Sequence, residues 1–532
     1  MSTTYPTDKA YPASYGSLLG PGPHPQQGIV TLPNIVGLRD HHHHHHHHGG
    51  DRDKNADLTT QQYFKHSSAP RVSTDTVIAA SLKKQYPNLH LTTIAPYGVN
   101  LFAYAKSTGN ASFTQISQDD NSKDLPSDLS WMFYVPPSRR IDGAKGGITK
   151  DLIFGKFLYK YKSAEFILYV ADGRDGTSSY PTVKNYYLLS TDKETHLADQ
   201  LVLEAGQWGN ELHEEVWVWD GGNWAKSRDL FDSIRKASWD NVILDEEMKK
   251  MIIQDHLQFF EGRDQYQKLK VPWKRGVIYW GPPGNGKTIS IKAMMHTLYD
   301  LKEPVPTLYV RSFFSWAGPE YAISQIFNKA RQFAPCYLIF EDLDSLVTDQ
   351  VRSYFLNEID GLKSNDGIFI VGSTNHLDRL DPGISKRPSR FDRKYFFPDP
   401  DLDQRIAYCK FWQRKLHDNK DLEFPDKLCR AVADITDGFS FAYIQEAFVA
   451  ALLIIARDSE APKNKFEGPL RGDDDFENGW VEVDADDDDD DGDDIEHLPL
   501  WVELKKQIEI LREGMEEKKK QAMVSRGKYP IL

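Results

Sequence analysis

Eight residues, Gly281-Pro-Pro-Gly-Asn-Gly-Lys-Thr288, constrain this chain more than any other stretch, because they fit the pattern G-x-x-x-x-G-K-[ST] at a strand-to-helix junction. The run before them, Val277-Ile-Tyr-Trp280, is short and rich in β-formers, and Ile289 to Leu298 after them has helical spacing. Such a loop turns successive backbone N–H groups, and the positive end of the helix, toward phosphate oxygens. Gly281, Gly284 and Gly286 permit the close approach, with Pro282, Pro283 and Asn285 completing the loop. Lys287 is placed to reach the β and γ phosphates and Thr288 to ligate Mg²⁺. The loop therefore predicts a site for ATP with Mg²⁺.

A chain of 532 residues has room for three or four domains at ~150 residues each, but part of it lacks the pattern of a fold. Residues 1–70 are rich in Pro, Gly, Ser and Tyr, include the run His41 to His48, and show no hydrophobic period that could bury a core, so they are expected to form a flexible tail. Residues 472–497 hold fifteen Asp and Glu and no Lys or Arg, against a net charge of −14 for the whole chain; the remainder is close to neutral. Like charges at that density repel, and residues 458–497 are expected to be a solvated acidic insertion. No signal peptide or mitochondrial presequence is evident. The longest apolar run, Ala447 to Ala456, is ten residues, half of the ~20 that span a bilayer. Cys336, Cys409 and Cys429 are too few and too scattered for a disulfide framework or a zinc site. These features predict a soluble intracellular protein of the cytoplasm or nucleus rather than the mitochondrion.

Between tail and loop, Leu152 to Tyr161, Phe166 to Val170 and Glu215 to Trp219 alternate apolar and polar residues, with turns at Asp172-Gly173 and Asp220-Gly-Gly-Asn223. A helix over about 76–86 precedes them, and the segment predicts a mixed, mostly β, N-terminal domain over 71–230. Its aromatic residues fit a core better than a recognition groove, and it holds no catalytic constellation.

Beyond the loop the strand Pro306 to Val310, the segment Phe313-Phe-Ser-Trp-Ala-Gly318, a helix Tyr321 to Phe333 and the strand Tyr337 to Phe340 follow in order. The last ends in Glu341-Asp-Leu-Asp344. At the carboxyl edge of a parallel sheet, one carboxylate can hold Mg²⁺ while its neighbour orients the water that attacks the γ phosphate. The strand Ile368 to Val371 then delivers Ser373-Thr-Asn375 between the carboxylate-bearing and phosphate-binding strands, which makes Asn375 a candidate γ-phosphate sensor.

The set Gly281 to Thr288, Glu341-Asp342, Asn375 and Arg387-Pro-Ser-Arg-Phe-Asp-Arg393 resembles the AAA ATPase family over residues 236–457. The resemblance implies an α/β fold, a P-loop AAA+ module with a parallel sheet between helices over 231–400 and a small helical lid over 401–457. A final helix over 498–525 would rejoin the lid, its Leu500, Leu504 and Ile508 recurring every four residues. By the same resemblance Arg387 and Arg390 are arginine fingers entering a neighbouring subunit's site. This implies a homo-oligomeric ring, a hexamer rather than a heptamer. Glu341 takes the metal role with Thr288, and Asp342 polarises the water. Trp316, Ala317 and Gly318 lie where the family places a substrate-gripping pore loop. Trp239 to Lys249, Trp273 to Gly276 and the Glu-Asp order look most like the branch of the mitochondrial Rieske-protein translocase, although the transmembrane segment of that branch is absent here.

The resulting expectation is a ring ATPase that unfolds, translocates or remodels protein substrates. The alternatives are a folded-protein translocase or assembly factor that does not thread its substrate, and a nucleotide-gated scaffold with weak hydrolysis. A nucleic-acid motor is disfavoured, because the N-terminal segment has no Lys/Arg stripe and the acidic insertion would repel phosphates.

Overall fold

The computed structural model describes residues 58–67, 69, 73–116, 128–137, 145–173, 184–360, 363–387, 389–419, 422–460 and 495–526. The histidine run and most of the acidic insertion lie outside the described residues. Residues Leu58–Ser67, inside the expected tail, form an α-helix.

The chain divides into two compact units, the first ending at Glu211 and the second beginning at Leu212. The first contains the antiparallel strands β1 (His90–Ile94), β2 (Ala111–Gln115), β3 (Asp128–Val135), β4 (Gly147–Tyr161), β5 (Ala164–Asp172) and β6 (Lys184–Ser190). Their order is β1-β6-β5-β4-β2, with β3 pairing along the other half of the long strand β4. Because strand side chains alternate between faces, Leu168 and Leu188 enter one core with Leu101, Tyr104 and Leu201 of the helices Leu101–Thr108 and Thr195–Asn210. Their neighbours Tyr169, Tyr187 and Leu189 pack on the opposite face with Leu82 of the helix Thr74–Gln85. Tyr159, Tyr161 and Phe166 are core, as the alternation predicted, and Tyr187 on β6 is core too, whereas Met132, Phe133 and Tyr134 on β3 are exposed.

The second unit is built on a seven-stranded sheet among the described residues, formed by β7 (Val216–Asp220), β8 (Asn223–Ser227), β9 (Arg275–Trp280), β10 (Thr307–Val310), β11 (Cys336–Phe340), β12 (Ile368–Thr374) and β13 (Arg393–Phe396). The spatial order is β13-β9-β12-β11-β10-β7-β8, parallel except for the β7–β8 hairpin. Every residue of β11 and β12 is buried, as expected for central parallel strands covered on both faces. Leu338, Phe340, Ile368 and Ile370 feed a core shared with the helices Pro319–Phe333 and Asp349–Asp360. Tyr337, Ile339, Phe369 and Val371 feed the other, with the helices Glu246–Glu261 and Lys287–Tyr299.

The expected boundary at residue 230 is corrected by this sheet. Val216 to Trp219, assigned from sequence to the N-terminal domain, is a buried strand of the second unit, with Leu308 opposite Trp217 and Val310 opposite Trp219. The two-residue turn to β8 is Gly221-Gly222, with φ of 61° and 95°, the positive-φ pair that a tight hairpin demands.

After β13 the helices Leu402–Leu416, Asp426–Ile435 and Phe441–Glu460 form the small helical subdomain. The last helix, Pro499–Arg526, returns to it and buries Leu500, Leu504 and Ile508 against Trp412, Phe448 and Leu428, in accord with their four-residue spacing.

Candidate active site

The loop after β9, the carboxylates after β11 and the polar tip of β12 meet because β12 lies between β9 and β11. Ligand sites of parallel α/β sheets lie at the carboxyl ends of such strands. A cavity of about 440 Å³ opens here, lined by Gly284, Gly286, Lys287, Thr288, Glu341, Asp342, Ser373 and Asn375 on the sheet side. Tyr408, Phe441, Ala442 and Gln445 of the helical subdomain and Asn241 to Ile243 close the remainder.

The phosphate loop is held in shape from two directions. Gly281 has a φ of 145°, and a Cβ there would lie 2.2 Å from the Phe397 carbonyl oxygen. Gly284 has a φ of 85°, and its Cβ would lie 2.6 Å from that of Ala442, whose N–H donates to the Gly284 carbonyl at 3.2 Å. The loop therefore touches the helical subdomain directly. Asn285 is buried and donates through Nδ2 to Asp399 Oδ1 at 2.8 Å, tying the loop to the chain after β13. Lys287 Nζ donates to the carbonyls of Gly281 and Pro282, both at 2.8 Å. Burial lowers the Lys287 pKa, opposed by the charges of Asp342 and Asp344. Thr288 is exposed at the cavity.

The two carboxylates are held differently. Glu341 Oε2 accepts a hydrogen bond from the Tyr309 hydroxyl, whereas Oε1 is buried without a partner. Burial, then the Glu341 carboxylate, raises the Tyr309 pKa, so the phenol stays a donor. Asp342 is exposed and sits in the left-handed region at φ 51°, ψ 52°, a conformation that few non-glycine residues adopt. Its N–H donates to Ser373 Oγ at 3.3 Å and its carbonyl accepts from Ser345 and Leu346. That geometry turns the chain sharply from β11 into the short helix Leu343–Leu346. Asp344 accepts from Thr374 Oγ1 at 2.6 Å, linking that short helix to β12 one residue before Asn375.

The residues present fit Mg²⁺ and a nucleotide triphosphate. Glu341 Oε1 is an orphaned buried acceptor, and Thr288, which carries a hydroxyl, lines the same cavity. Among the described residues, neither this site nor any other brings together three or more His, Cys, Asp or Glu that could hold a metal ion by themselves.

Of the two expected arginine fingers, only Arg387 is exposed; its Nη1 lies 3.4 Å from Asp360 Oδ2. Arg390 is corrected by the geometry: it is buried, donates to both oxygens of Asp360 at 3.0 and 2.6 Å, and donates through Nη1 to the Gly383 carbonyl at 2.7 Å. These three hydrogen bonds, within its own subunit, make it an anchor of the segment that carries Arg387. Phe313 is buried, whereas Phe314 and Trp316 are 66% and 67% exposed. Ser315 is buried against Gly222 of the β7–β8 turn.

Sequence reasoning placed Ser373 at the site only as part of the tip that ends in Asn375, and it missed Tyr309, the Asp344–Thr374 pair and the walls supplied by Asn241 to Ile243, Tyr408 and Phe441. Asp344 was visible as the last carboxylate of Glu341-Asp-Leu-Asp344; the others carry no local signal, since only the fold brings them to the loop.

Residues 277–399, from β9 to just past β13, match the family model described as ATPase family associated with various cellular activities (AAA). The matched segment contains the loop, the paired carboxylates and Asn375, which line one cavity, and it is similar to that family over this part of the chain.

Proposed function

We propose that the protein is a ring-forming ATPase that couples ATP hydrolysis to unfolding, translocating or remodelling protein substrates. The observation that carries the ATPase part is the convergence of Lys287, Thr288, Glu341, Asp342 and Asn375 on one cavity at the carboxyl ends of neighbouring parallel strands.

In this reading the backbone N–H groups of 284–288 and Lys287 bind the phosphates, the lysine leaving the carbonyls of Gly281 and Pro282 for phosphate oxygens. Thr288 and Glu341 would hold Mg²⁺, which would offset the charge of the phosphates. Asp342 accepts a hydrogen bond from the attacking water and aligns it with the γ phosphorus; Asn375 donates its amide to the γ phosphate or to that water. Water oxygen bonds to phosphorus as the bond to the ADP oxygen breaks, and charge grows on the transferred group. Arg387, exposed on the surface of one subunit, supplies positive charge to the site of the next. Tyr408, Phe441 and Ala442 make the helical subdomain a wall of the cavity, so its position senses whether nucleotide is present.

The protein-remodelling part rests on the exposed Trp316 and Phe314 beside Ala317-Gly318, a loop able to grip an extended chain through aromatic contacts. Within the family we place the chain nearest the branch of the mitochondrial Rieske-protein translocase, on the Glu341-Asp342 order and the segments Trp239 to Lys249 and Trp273 to Gly276. Among the described residues no helix is long and apolar enough to cross a membrane. The test is assembly: light scattering of Asp342→Asn with ATP should report a ring, and Arg387→Ala subunits mixed into wild-type protein should suppress ATPase activity more steeply than their fraction. Activity proportional to the wild-type fraction contradicts a trans-acting Arg387.

A further inference from the structure

Glu341 reaches the cavity with one methylene more than an aspartate has, and a longer side chain needs a second point of restraint to present one oxygen reproducibly. The sheet supplies one. Tyr309 lies on β10, opposite Ile339 of the adjacent parallel strand β11, two residues before Glu341. Its hydroxyl donates to Glu341 Oε2, leaving Oε1 buried and without a partner. The phenol ring is partly buried and joins the core beneath the sheet, which fixes where the hydroxyl sits.

We infer that Tyr309 is a positioning residue of the phosphate site: by engaging Oε2 it commits Oε1 of Glu341 to the metal side of the cavity. The role rests on the ATPase reading above. Tyr309 acts only through Glu341, and its loss weakens metal-dependent steps while leaving metal-free contacts to the nucleotide intact. Tyr309 matches the extra reach of glutamate; an aspartate at 341 would fall short of the hydroxyl by about one carbon–carbon bond.

The test uses the full chain and a fluorescent ATP analogue titrated with Mg²⁺. In Tyr309→Phe the ring is kept and only the hydroxyl is removed. The Mg²⁺ concentration for half-maximal nucleotide binding should rise about tenfold, the scale of a hydrogen bond to a charged group. Binding of the analogue in EDTA should be unchanged. In a Glu341→Gln background, the same substitution should add less than about twofold, because the pair acts as one unit. An unchanged Mg²⁺ midpoint in Tyr309→Phe, or equal shifts with and without the Glu341 carboxylate, overturns the role. A uniform loss of binding in EDTA and in Mg²⁺ alike means that Tyr309 only packs, and also overturns it. Absence of any Mg²⁺-dependent binding by the wild-type protein overturns the ATPase reading itself and is distinguishable from these results.

Discussion

The guanidinium of Arg390 grips the carboxylate of Asp360 from the side, Nε on Oδ1 at 3.0 Å and Nη2 on Oδ2 at 2.6 Å. The hydrogen bond from Arg390 lowers the Asp360 pKa, with the charges of Arg390 and Arg387 adding to it against the cost of burial. This pair separates the two arginines by function. Arg390→Ala strands the Gly383 carbonyl and a carboxylate that is one-third exposed, and should destabilise the subunit by about 2–3 kcal/mol. Arg387→Ala removes an exposed contact and should cost less than ~1 kcal/mol. Thermal unfolding of the two variants measures the difference, and equal shifts would refute the division.

Contact between the phosphate loop and the helical subdomain yields a second prediction. Any side chain at Gly284 must adopt φ 85° and displace Ala442, whose Cβ would be 2.6 Å away. Gly284→Val should therefore push the subdomain off the loop and weaken ATP binding at least tenfold, about 1.4 kcal/mol. Nucleotide titration by fluorescence checks this; wild-type affinity in Gly284→Val would show that the loop and the subdomain do not move as one.

Acid stability should carry the signature of His256. The ring is fully buried, stacked on Phe369 at 4.2 Å, with Nδ1 2.7 Å from the Ile252 carbonyl and Nε2 3.2 Å from the Tyr337 hydroxyl. Burial lowers its pKa to about 4; the Ile252 carbonyl and Asp255 oppose the shift and Arg275 assists it. The unfolded chain, titrating near 6.5, takes up the proton first. The stabilising contribution is thus complete above pH ~6.5 and is lost as pH falls toward about 4, by roughly 3 kcal/mol in all. His256→Phe loses the two polar contacts and is less stable at neutral pH, but it lacks this slope. Its melting temperature should approach that of the wild type between pH 7 and pH 5; parallel curves would contradict the assignment.

Trp316 distinguishes threading from movement of folded cargo. If substrate is pulled through in extended form, Trp316→Ala should leave basal ATP hydrolysis within about twofold and abolish client unfolding, while Trp316→Tyr retains part of it. Unfolding that survives both substitutions would favour folded cargo moved by changes in chamber shape.

The phosphate loop, the carboxylates and Asn375 were legible in the sequence because each is a short motif at the end of an apolar run. The run itself reports a buried parallel strand. What was not legible depends on pairing between distant residues. Val216 to Trp219 reads like the antiparallel strands before it, and nothing local says that it pairs in parallel with Leu308 to Val310 across some ninety residues. Arg390 shares a motif with Arg387, yet only the position of Asp360 thirty residues earlier makes one structural and the other exposed. Tyr309 looks like any aromatic residue on a strand until β10 and β11 are set side by side.

In the proposed function the cavity after β9, β11 and β12 binds ATP and hydrolyses it. Lys287→Ala and Asp342→Asn, assayed side by side for nucleotide binding and phosphate release, test it most directly. Lys287→Ala should lose binding, because phosphate charge is no longer offset. Asp342→Asn should bind ATP like the wild type and release phosphate at least about a hundredfold more slowly, having lost only the group that polarises water. Phosphate release by Asp342→Asn at the wild-type rate would contradict the account.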